Sequence, residues 1–192
     1  MSLNNFKKVI GNIKDAVHVV MLYFVNEPLL NPDVFLMVKY AHQNGLYTEI
    51  STNATLLNKE NAKKIFDSSL DKIIIDLDGT TKESYEQFRV GANFEKVMEN
   101  INYFCSQKQT LKFKKPFIEL QFILNKLNQN EVEDIKILAQ KLKVDHLSIR
   151  AFGLGEYAYS EAERKILADK FLPDDPRYQQ KIRYKKNGAN FV

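Results

Sequence analysis

The sequence contains a single cysteine, Cys105, and no tryptophan among its 192 residues. One thiol cannot form a disulfide within the chain, a zinc site or an iron–sulfur cluster, so we predict no metal site made by this chain alone. Cys105 also falls on the apolar stripe of a predicted helix, together with Phe94, Val97, Met98, Ile101 and Phe104. That position predicts a buried structural thiol rather than a reactive one.

Long apolar runs and a strong charge of one sign are also missing. No segment approaches the ~20 apolar residues of a membrane span, and the N-terminus lacks the apolar core of a signal peptide. We therefore expect a cytoplasmic protein with no membrane partner. The net charge is only +4, which favours solvated basic loops and a solvated basic tail over nucleic-acid binding. The alternative, a nucleic-acid-binding tail, would use Lys181, Arg183, Tyr184, Lys185 and Lys186.

Glycine and proline are scarce, with 7 and 5 residues, which excludes a low-complexity chain rich in either. The hydrophobic content of 44% suits one α/β domain. Apolar runs predict strands at residues 17–25, 46–52, 72–79, 117–124 and 146–152. Helical periodicity separates these runs. We predict helix caps at Asn58 and Asn93 and capping boxes at Thr80-x-x-Glu83 and Asn130-x-x-Glu133.

The alternation of strands and helices predicts an α/β fold with a parallel sheet, a partial (β/α) TIM barrel of about five βα units. This number is short of the eight units of a closed barrel. The first run, VHVVMLYFV, is dense in β-branched residues and predicts a strand buried on both faces. Because a barrel segment normally begins with a strand and this chain begins with a predicted helix, we expect that the first strand of the barrel is missing.

Polar side chains follow the predicted strands where the strands end. In parallel α/β folds, binding sites form at these carboxyl ends. The polar residues are Asn26 and Glu27, then Ser51, Thr52 and Asn53, then Asp76 and Asp78, then Gln121 and Asn125, and finally Arg150. Carboxylates suit an ammonium or ribose hydroxyls, and an arginine suits a carboxylate. Ordinary turn and cap chemistry would explain each of them equally well when taken alone.

The order and the residues of four motifs favour a binding site over ordinary turn and cap chemistry. NEPLLNPDVF, ISTNATLL, IIIDLDGTTKESYEQFR and NFEKVMENI follow one another along the chain. Over residues 15–152 the sequence resembles the core of radical S-adenosylmethionine (SAM) enzymes, and most of all those with a C-terminal SPASM-type extension. The resemblance implies SAM and a 4Fe-4S cluster as cofactors, a 5′-deoxyadenosyl radical, and hydrogen abstraction from a small-molecule, peptide or protein substrate.

The resemblance also implies roles for single residues. Asn26-Glu27-Pro28 matches the family's Gly-Gly-Glu-Pro segment, so Glu27 would hold the methionine ammonium of SAM. Its replacement should then leave fold stability nearly unchanged. The other cofactor-binding residues implied are Ser51 and Asn53 lining the pocket, Asp76 at the ribose, Arg89 at the SAM carboxylate, and Arg150 near the site on the last core strand. No catalytic residue is implied.

Departures from the family pattern point to a piece of an enzyme. Val25-Asn26 replaces two glycines, Asn53-Ala54 replaces Asn-Gly, and the cluster motif CxxxCxxC is absent. We expect a fragment without its first strand and cluster loop, inactive and without bound cofactor. Residues 1–155 would form the partial barrel, and residues 156–192 a helix and linker toward an absent extension. The alternative is a natural, cluster-free barrel that binds a nucleoside, a peptide or a protein.

Overall fold

The sheet and its helices follow the predicted alternation. The structure, a computed structural model, describes residues 1–154 and 160–178. Its strands are β1 (Val19–Met21), β2 (Tyr47–Thr52), β3 (Lys72–Asp76), β4 (Phe117–Leu124) and β5 (His146–Ala151). Its α-helices are α1 (Leu3–Ile13), α2 (Val34–Gln43), α3 (Lys59–Asp67), α4 (Lys82–Phe88), α5 (Phe94–Thr110), α6 (Val132–Leu142) and α7 (Glu161–Phe171), and a 3-10 helix spans Pro28–Leu30.

The strands form one parallel sheet in the order β1-β2-β3-β4-β5. Parallel crossovers are right-handed, and strands added always in the same direction put all the connecting helices on one face. This arrangement is the α/β partial barrel that the sequence predicts. We call the face of the sheet away from the helices the inner face.

Side chains alternate between the two faces along each strand. In β4, Ile118, Leu120, Phe122 and Leu124 join the core beneath the helices, whereas Glu119 and Gln121 project to the inner face. The same alternation gives Ile73, Ile75 and Leu77 of the third strand and its exit to the core. The apolar core therefore lies between sheet and helices, and the inner face carries polar and charged side chains together with apolar ones such as Ile74 and Met21.

The first strand differs from its prediction. It is three residues long, and Val19 and Met21 are 47% and 62% exposed, so the expectation of a strand buried on both faces is wrong. The physical reason is its position, because β1 is an edge strand and pairs only with β2 among the described residues. The apolar side chains of β1 therefore lie partly on the open inner face and at the sheet edge, whereas the prediction assumed that both faces of the strand are buried.

Two of the predicted helix starts are correct and two are shifted. Asn58 and Asn93 cap α3 and α5 through their side chains, as predicted. Thr81 rather than Thr80 caps α4, and the predicted capping box at Asn130 does not form. Instead, Glu131 accepts hydrogen bonds from the Thr80 amide and hydroxyl at 2.5 and 2.9 Å. Thr80 and Glu131 thus form a long-range bond between two strand-exit loops, while Thr81 provides the local cap of α4.

Helix α5 contains Cys105, which is 2% exposed. Burial raises the pKa of its thiol to about 12, so the thiolate needed for reactivity or metal binding is disfavoured. The prediction of a buried structural thiol is confirmed. No helix in the described part of the chain is long and apolar enough to cross a membrane.

The last described helix packs beside the fifth strand's exit. Ser160 and Glu163 form a capping box at the start of α7, and Phe171 at its end stacks edge-on against Phe88 and tilts against Phe152. The division at residues 155 and 156 stays a prediction, since residues 155–159 are outside the described chain. The basic residues from Lys181 onward are also outside it.

Candidate functional site

Glu27 joins the exits of β1 and β2. It accepts hydrogen bonds from the Leu29 amide at 3.1 Å and the Thr52 hydroxyl at 2.8 Å through Oε1, and from the Asn53 amide at 2.8 Å through Oε2. A carboxylate offers about four acceptor positions, so one position on Oε2 is left for a ligand. No lysine or arginine pairs with Glu27 among the described residues. The carboxylate therefore fits an ammonium ligand and also orders the loop.

A polar row crosses the inner face at the level where β2 and β3 end, and it continues to the middle of β4. Asp76 accepts from the Ser51 hydroxyl at 3.1 Å and from the Gln121 side-chain amide at 2.8 Å. Asp76 and Gln121 are register partners in β3 and β4. Asn53 follows Ser51 by two residues along the chain. Its Oδ1 accepts hydrogen bonds from the Thr55 amide and hydroxyl at 3.0 and 2.6 Å. These bonds fix the side chains before any ligand binds.

Asp76 is the residue with the clearest electrostatic perturbation in this row. Its pKa is raised from 3.8 to about 6, mainly by burial and then by the nearby Asp78 carboxylate, with Arg89, Ser51 and Gln121 opposing the rise. A half-buried carboxylate without its own cation is costly to keep ionised. Such carboxylates are typical of binding sites, where a ligand supplies the missing donors.

Replacing Asp76 by asparagine is expected to stabilise the fold at pH 8 by about 1–3 kcal/mol. The asparagine keeps both hydrogen bonds, because the Ser51 hydroxyl can turn and accept from the new amide. A raised folded pKa means that the folded state binds the extra proton, so the penalty is absent below pH ~4 and complete above pH ~6. Urea unfolding of both proteins from pH 4 to 8 measures the gain, which should vanish at the acid end.

Asp71 provides a control of opposite sign for this prediction. Burial raises the pKa of Asp71, but the bonds from Lys115 and Thr48 outweigh burial and lower it overall. Its stabilisation is therefore present at neutral pH and is lost as pH falls through the folded pKa. Asp71→Asn should destabilise the protein at pH 8. If Asp76→Asn also destabilises it there, the assignment of Asp76 as a strained carboxylate is incorrect.

Arg89 is held by a buried partner. Its Nε and Nη2 lie 2.7 and 2.5 Å from Oδ2 of Asp78, and Oδ1 of Asp78 accepts from the Ile123 amide at 2.8 Å. Burial pushes the pKa of Asp78 upward, and the adjacent guanidinium opposes that rise. Asp78 is fully buried and Arg89 is 33% exposed. The pair can therefore present the remaining guanidinium donors to a ligand in a fixed orientation.

The described structure does not unite all the predicted site residues. Glu27 contacts Asn53, and Ser51 contacts Asp76, whereas Arg150 lies with a different group. The guanidinium of Arg150 is 3.9 Å from the Glu119 carboxylate, which is paired with Lys72 at 2.8 Å. Asn26 is exposed and lines a groove of about 770 Å³ beside the β1 exit. The exposed apolar side chains of Phe24, Val25 and Leu30 form part of the same groove.

The residues of the chain fit one implied cofactor better than the other. The carboxylates and hydroxyls at the strand exits suit the ammonium and ribose of SAM. A 4Fe-4S cluster needs several cysteine thiolates, and the only cysteine of the chain is buried in α5. Among the described residues, no group of three or more His, Cys, Asp or Glu could hold a metal ion. The site of this chain is therefore a candidate nucleoside and amino-acid site.

Sequence reasoning underrated three partners. Thr52 alternates toward the helices, yet its hydroxyl reaches Glu27. Gln121 binds Asp76, and Asp78 anchors Arg89. All three were among the polar residues predicted at strand ends, but their hydrogen-bond partners depend on the sheet register, which the sequence does not reveal.

Comparison with known proteins agrees with the fold and the motifs. The family model described as "Radical SAM superfamily" matches residues 1–114. An AdoMet-dependent heme synthase of Nitratidesulfovibrio vulgaris is 29% identical over 103 residues, which are 53% of this chain and 28% of that protein. A Fe-coproporphyrin III synthase of Methanosarcina barkeri is 27% identical over 148 residues, 77% of this chain and 35% of that protein. The chain thus spans about a third of these relatives.

Solved structures show the same fold. Streptococcus suis SuiB superimposes with a TM-score of 0.65 at 14% identity, over 87% of this chain and 39% of that one. The structure titled "Native anSMEcpe with bound AdoMet" gives a TM-score of 0.61 at 16% identity, over 83% of this chain and 47% of that one. The family model covers more than half of the sequence, and the resemblance found in the motifs is confirmed. The chain belongs to the radical SAM superfamily.

Proposed function

We propose that this chain forms the SAM-binding part of a radical SAM oxidoreductase. The complete enzyme would cleave SAM reductively and abstract hydrogen from a substrate through a 5′-deoxyadenosyl radical, a chemistry that SAM and a 4Fe-4S cluster supply together. Family membership supports this reaction class. The substrate would be a peptide, a protein or a small molecule. Structures of SuiB with its precursor peptide and of anSMEcpe with a peptide support a peptide for those two proteins.

The observation that carries this proposal is the state of Glu27. It has a free acceptor position on Oε2 and no cation partner among the described residues, and it stands beside Asn53 at the exit of β2. In the proposed complex, Glu27 accepts from the methionine ammonium, Asp76 accepts from the ribose hydroxyls, and Arg89 donates to the methionine carboxylate. Ser51 and Asn53 orient these groups through the bonds described above.

Glu27→Gln is expected to weaken SAM binding at least about tenfold. The substitution keeps size but removes the charge, and a hydrogen bond to a charged group contributes about 1.5–3 kcal/mol. The three hydrogen bonds that Glu27 accepts change the expectation that its replacement leaves fold stability nearly unchanged. An amide nitrogen cannot accept from Leu29 or Asn53, so the variant should also lose about 1–2 kcal/mol of folding free energy. Equilibrium dialysis with labelled SAM and urea unfolding measure the two effects.

A matched control separates ligand binding from general charge. Glu60 is an exposed carboxylate on α3, paired with Lys64 at 2.6 Å, so Glu60→Gln removes the same charge away from the site. It should bind SAM like the unchanged chain. Dialysis is carried out at a urea concentration well below the unfolding midpoint of each variant, so that all chains are folded. Equal SAM affinity for Glu27→Gln and the unchanged chain would exclude the ammonium role and remove the main support for this function.

The chain as given is expected to carry no stoichiometric iron–sulfur cluster. One buried cysteine cannot replace several thiolate ligands. After anaerobic reconstitution with iron and sulfide, the purified chain should be colourless, and dithionite with SAM should give no 5′-deoxyadenosine. The Cys105→Ser variant should behave identically. Several irons per chain, with the absorption of an iron–sulfur protein, would contradict this prediction.

The alternative function is a cluster-free barrel that binds a nucleoside, a peptide or a protein. The polar strand exits would serve such a module equally well, because hydrogen-bonding a ribose requires no iron. The two functions differ in one measurement. Adenosine without the methionine part should bind a nucleoside module as tightly as SAM does, whereas the ammonium and carboxylate contacts proposed above require the methionine part.

A further inference from the structure

A second polar group lies on the inner face, apart from the strand-exit site. It consists of Lys72 of β3, Glu119 of β4 and Arg150 of β5. Closed barrels fill their interior mainly with branched apolar side chains, and charged residues are rarely buried unless paired. Glu119 is nevertheless 7% exposed, and Lys72 is 20% exposed. The inner face of this sheet therefore carries charged groups where a closed barrel has apolar ones.

The ion pairs within this group are unequal. Lys72 Nζ lies 2.8 Å from Oε2 of Glu119, which is a full charge-assisted hydrogen bond. Arg150 Nη2 is 3.9 Å from Oε1 of Glu119, beyond hydrogen-bond distance, and the arginine is 63% exposed. Its Nε donates weakly to the Ser148 hydroxyl at 3.3 Å. Lys72 therefore already neutralises Glu119, and the Arg150 fork is left with unused donors.

The surroundings confine the open donors to the inner face. Arg150 follows Ser148 by two residues, so both point to the same side of β5, and Leu147 packs toward the core. Tyr23, near the opposite edge of the sheet, has its pKa raised mainly by burial and then by Glu49, with Lys72 and Arg150 opposing. The charges of β2 to β5 therefore act on a common space. Lys72, Glu119 and Arg150 carry one net positive charge, and the Glu49 carboxylate that acts on the same Tyr23 brings the balance of the four groups to zero.

We propose that Arg150, with the Ser148 hydroxyl beside it and the Lys72–Glu119 pair behind it, binds a carboxylate group of the substrate. A guanidinium matches a carboxylate through two parallel hydrogen bonds. The nearby Glu119 and Glu49 carboxylates disfavour a dianionic phosphate, so the site suits an anion of single charge. That the carboxylate belongs to a substrate rests on the function proposed above, whereas carboxylate binding by Arg150 does not. Arg150 then belongs to the substrate side, not to the cofactor residues predicted from its sequence position.

The test observes the arginine Nε–H resonances of the 15N-labelled full chain, with Arg150 identified by its loss in Arg150→Lys. Propionate is titrated at constant ionic strength and pH 8, with propionamide and inorganic phosphate as parallel probes. Propionate should shift the Arg150 resonance saturably, propionamide should not, and phosphate should bind at least several-fold more weakly. Arg177, fixed to Asp175 at 2.6 Å, is the internal control and should not follow the same curve.

Two variants make the proposal specific. Glu119→Gln removes the competing carboxylate and should tighten propionate binding several-fold. Ser148→Ala should loosen it, since the hydroxyl that orients Nε is lost. A non-saturating shift, equal shifts at Arg177, or phosphate binding as tight as propionate would overturn the proposal. A SAM-dependent shift of Arg150 that competes with propionate would return Arg150 to the cofactor site. If SAM fails to bind while propionate binds, the proposed function fails and carboxylate recognition stands.

Discussion

Asp78→Asn is expected to lower the free energy of unfolding by about 2–4 kcal/mol, although the substitution changes almost no volume. Asp78 is fully buried and serves both Arg89 and the Ile123 amide. Removing one partner of a buried ion pair costs about 3–5 kcal/mol, because the other charge stays buried without compensation. Arg89 is 33% exposed and can turn partly to water, so the expected loss is centred about 1 kcal/mol lower than that range. Urea unfolding at pH 8 measures it.

Two further variants test the cause of this loss. Asp67 forms an exposed ion pair with Lys63 at 2.7 Å, and exposed pairs contribute about 0–1 kcal/mol. Asp67→Asn should therefore be nearly silent. Combining Asp78→Asn with Arg89→Gln removes the stranded guanidinium, so the double variant should lose less than the sum of the single variants. Strict additivity, or a loss for Asp78→Asn no larger than for Asp67→Asn, would contradict the buried-pair interpretation.

Asp78→Asn should also affect ligand binding through Arg89. The guanidinium is aligned by two nitrogens on one carboxylate oxygen, and an arginine that loses this partner has more rotamers to lose when it binds a carboxylate. SAM should therefore bind more weakly to the Asp78→Asn variant even without urea, where this variant is folded. Asp78 thus acts by positioning Arg89, since its own oxygens are already used by Arg89 and the Ile123 amide.

Much of this fold could be predicted from the sequence because the strands are long, apolar and regularly spaced. The runs at β2 to β5 gave the correct strands and a parallel order, and Asn58 and Asn93 gave the correct starts of their helices. These features depend on neighbours within a few residues. They are therefore encoded locally, and periodicity and capping rules recover them.

The features that were missed depend on residues distant in the chain. Glu131 bonds Thr80 across 51 residues, so no local capping rule could assign it. The exposure of β1 follows from its position at the sheet edge, which its composition does not reveal. The approach of the Arg150 guanidinium to Glu119, at 3.9 Å, was not predicted either, because Arg150 pairs in register with Ile123 and reaches Glu119 only through its long side chain. Its role at the cofactor stays a prediction. The sequence could propose polar residues at the strand ends, but their hydrogen-bond partners depend on the sheet register.

The residue after Asp78 shows how tightly the strand-exit site is built. Gly79 joins the third strand's exit to the start of α4, and its backbone runs very close to the helix. A Cβ added there would lie 2.6 Å from the Ser84 hydroxyl, 2.7 Å from the Tyr85 amide nitrogen and 2.9 Å from the Tyr85 Cα. Two of these atoms are backbone and cannot rotate away. A glycine is thus required at position 79 by the close approach of the chain to itself.

Gly79→Ala is therefore expected to destabilise the protein by about 3 kcal/mol or more, at the upper end of overpacking effects. Relief of the clash must move α4, and α4 ends beside Arg89, so SAM binding should weaken in the same variant. Gly11→Ala is the matched control. It lies within α1 with nothing within 4 Å of the added Cβ, and it should stabilise the helix by about 0.5–1 kcal/mol.

The two glycines make the outcome decisive, since the same methyl group is added in each case and only the surroundings differ. Thermal and urea unfolding of the two variants should change in opposite directions. If Gly79→Ala were as stable as the unchanged chain, α4 would not pack against the Asp-Gly turn at the distances found here. Arg89 would then lack the rigid support from which its role at the SAM carboxylate is inferred.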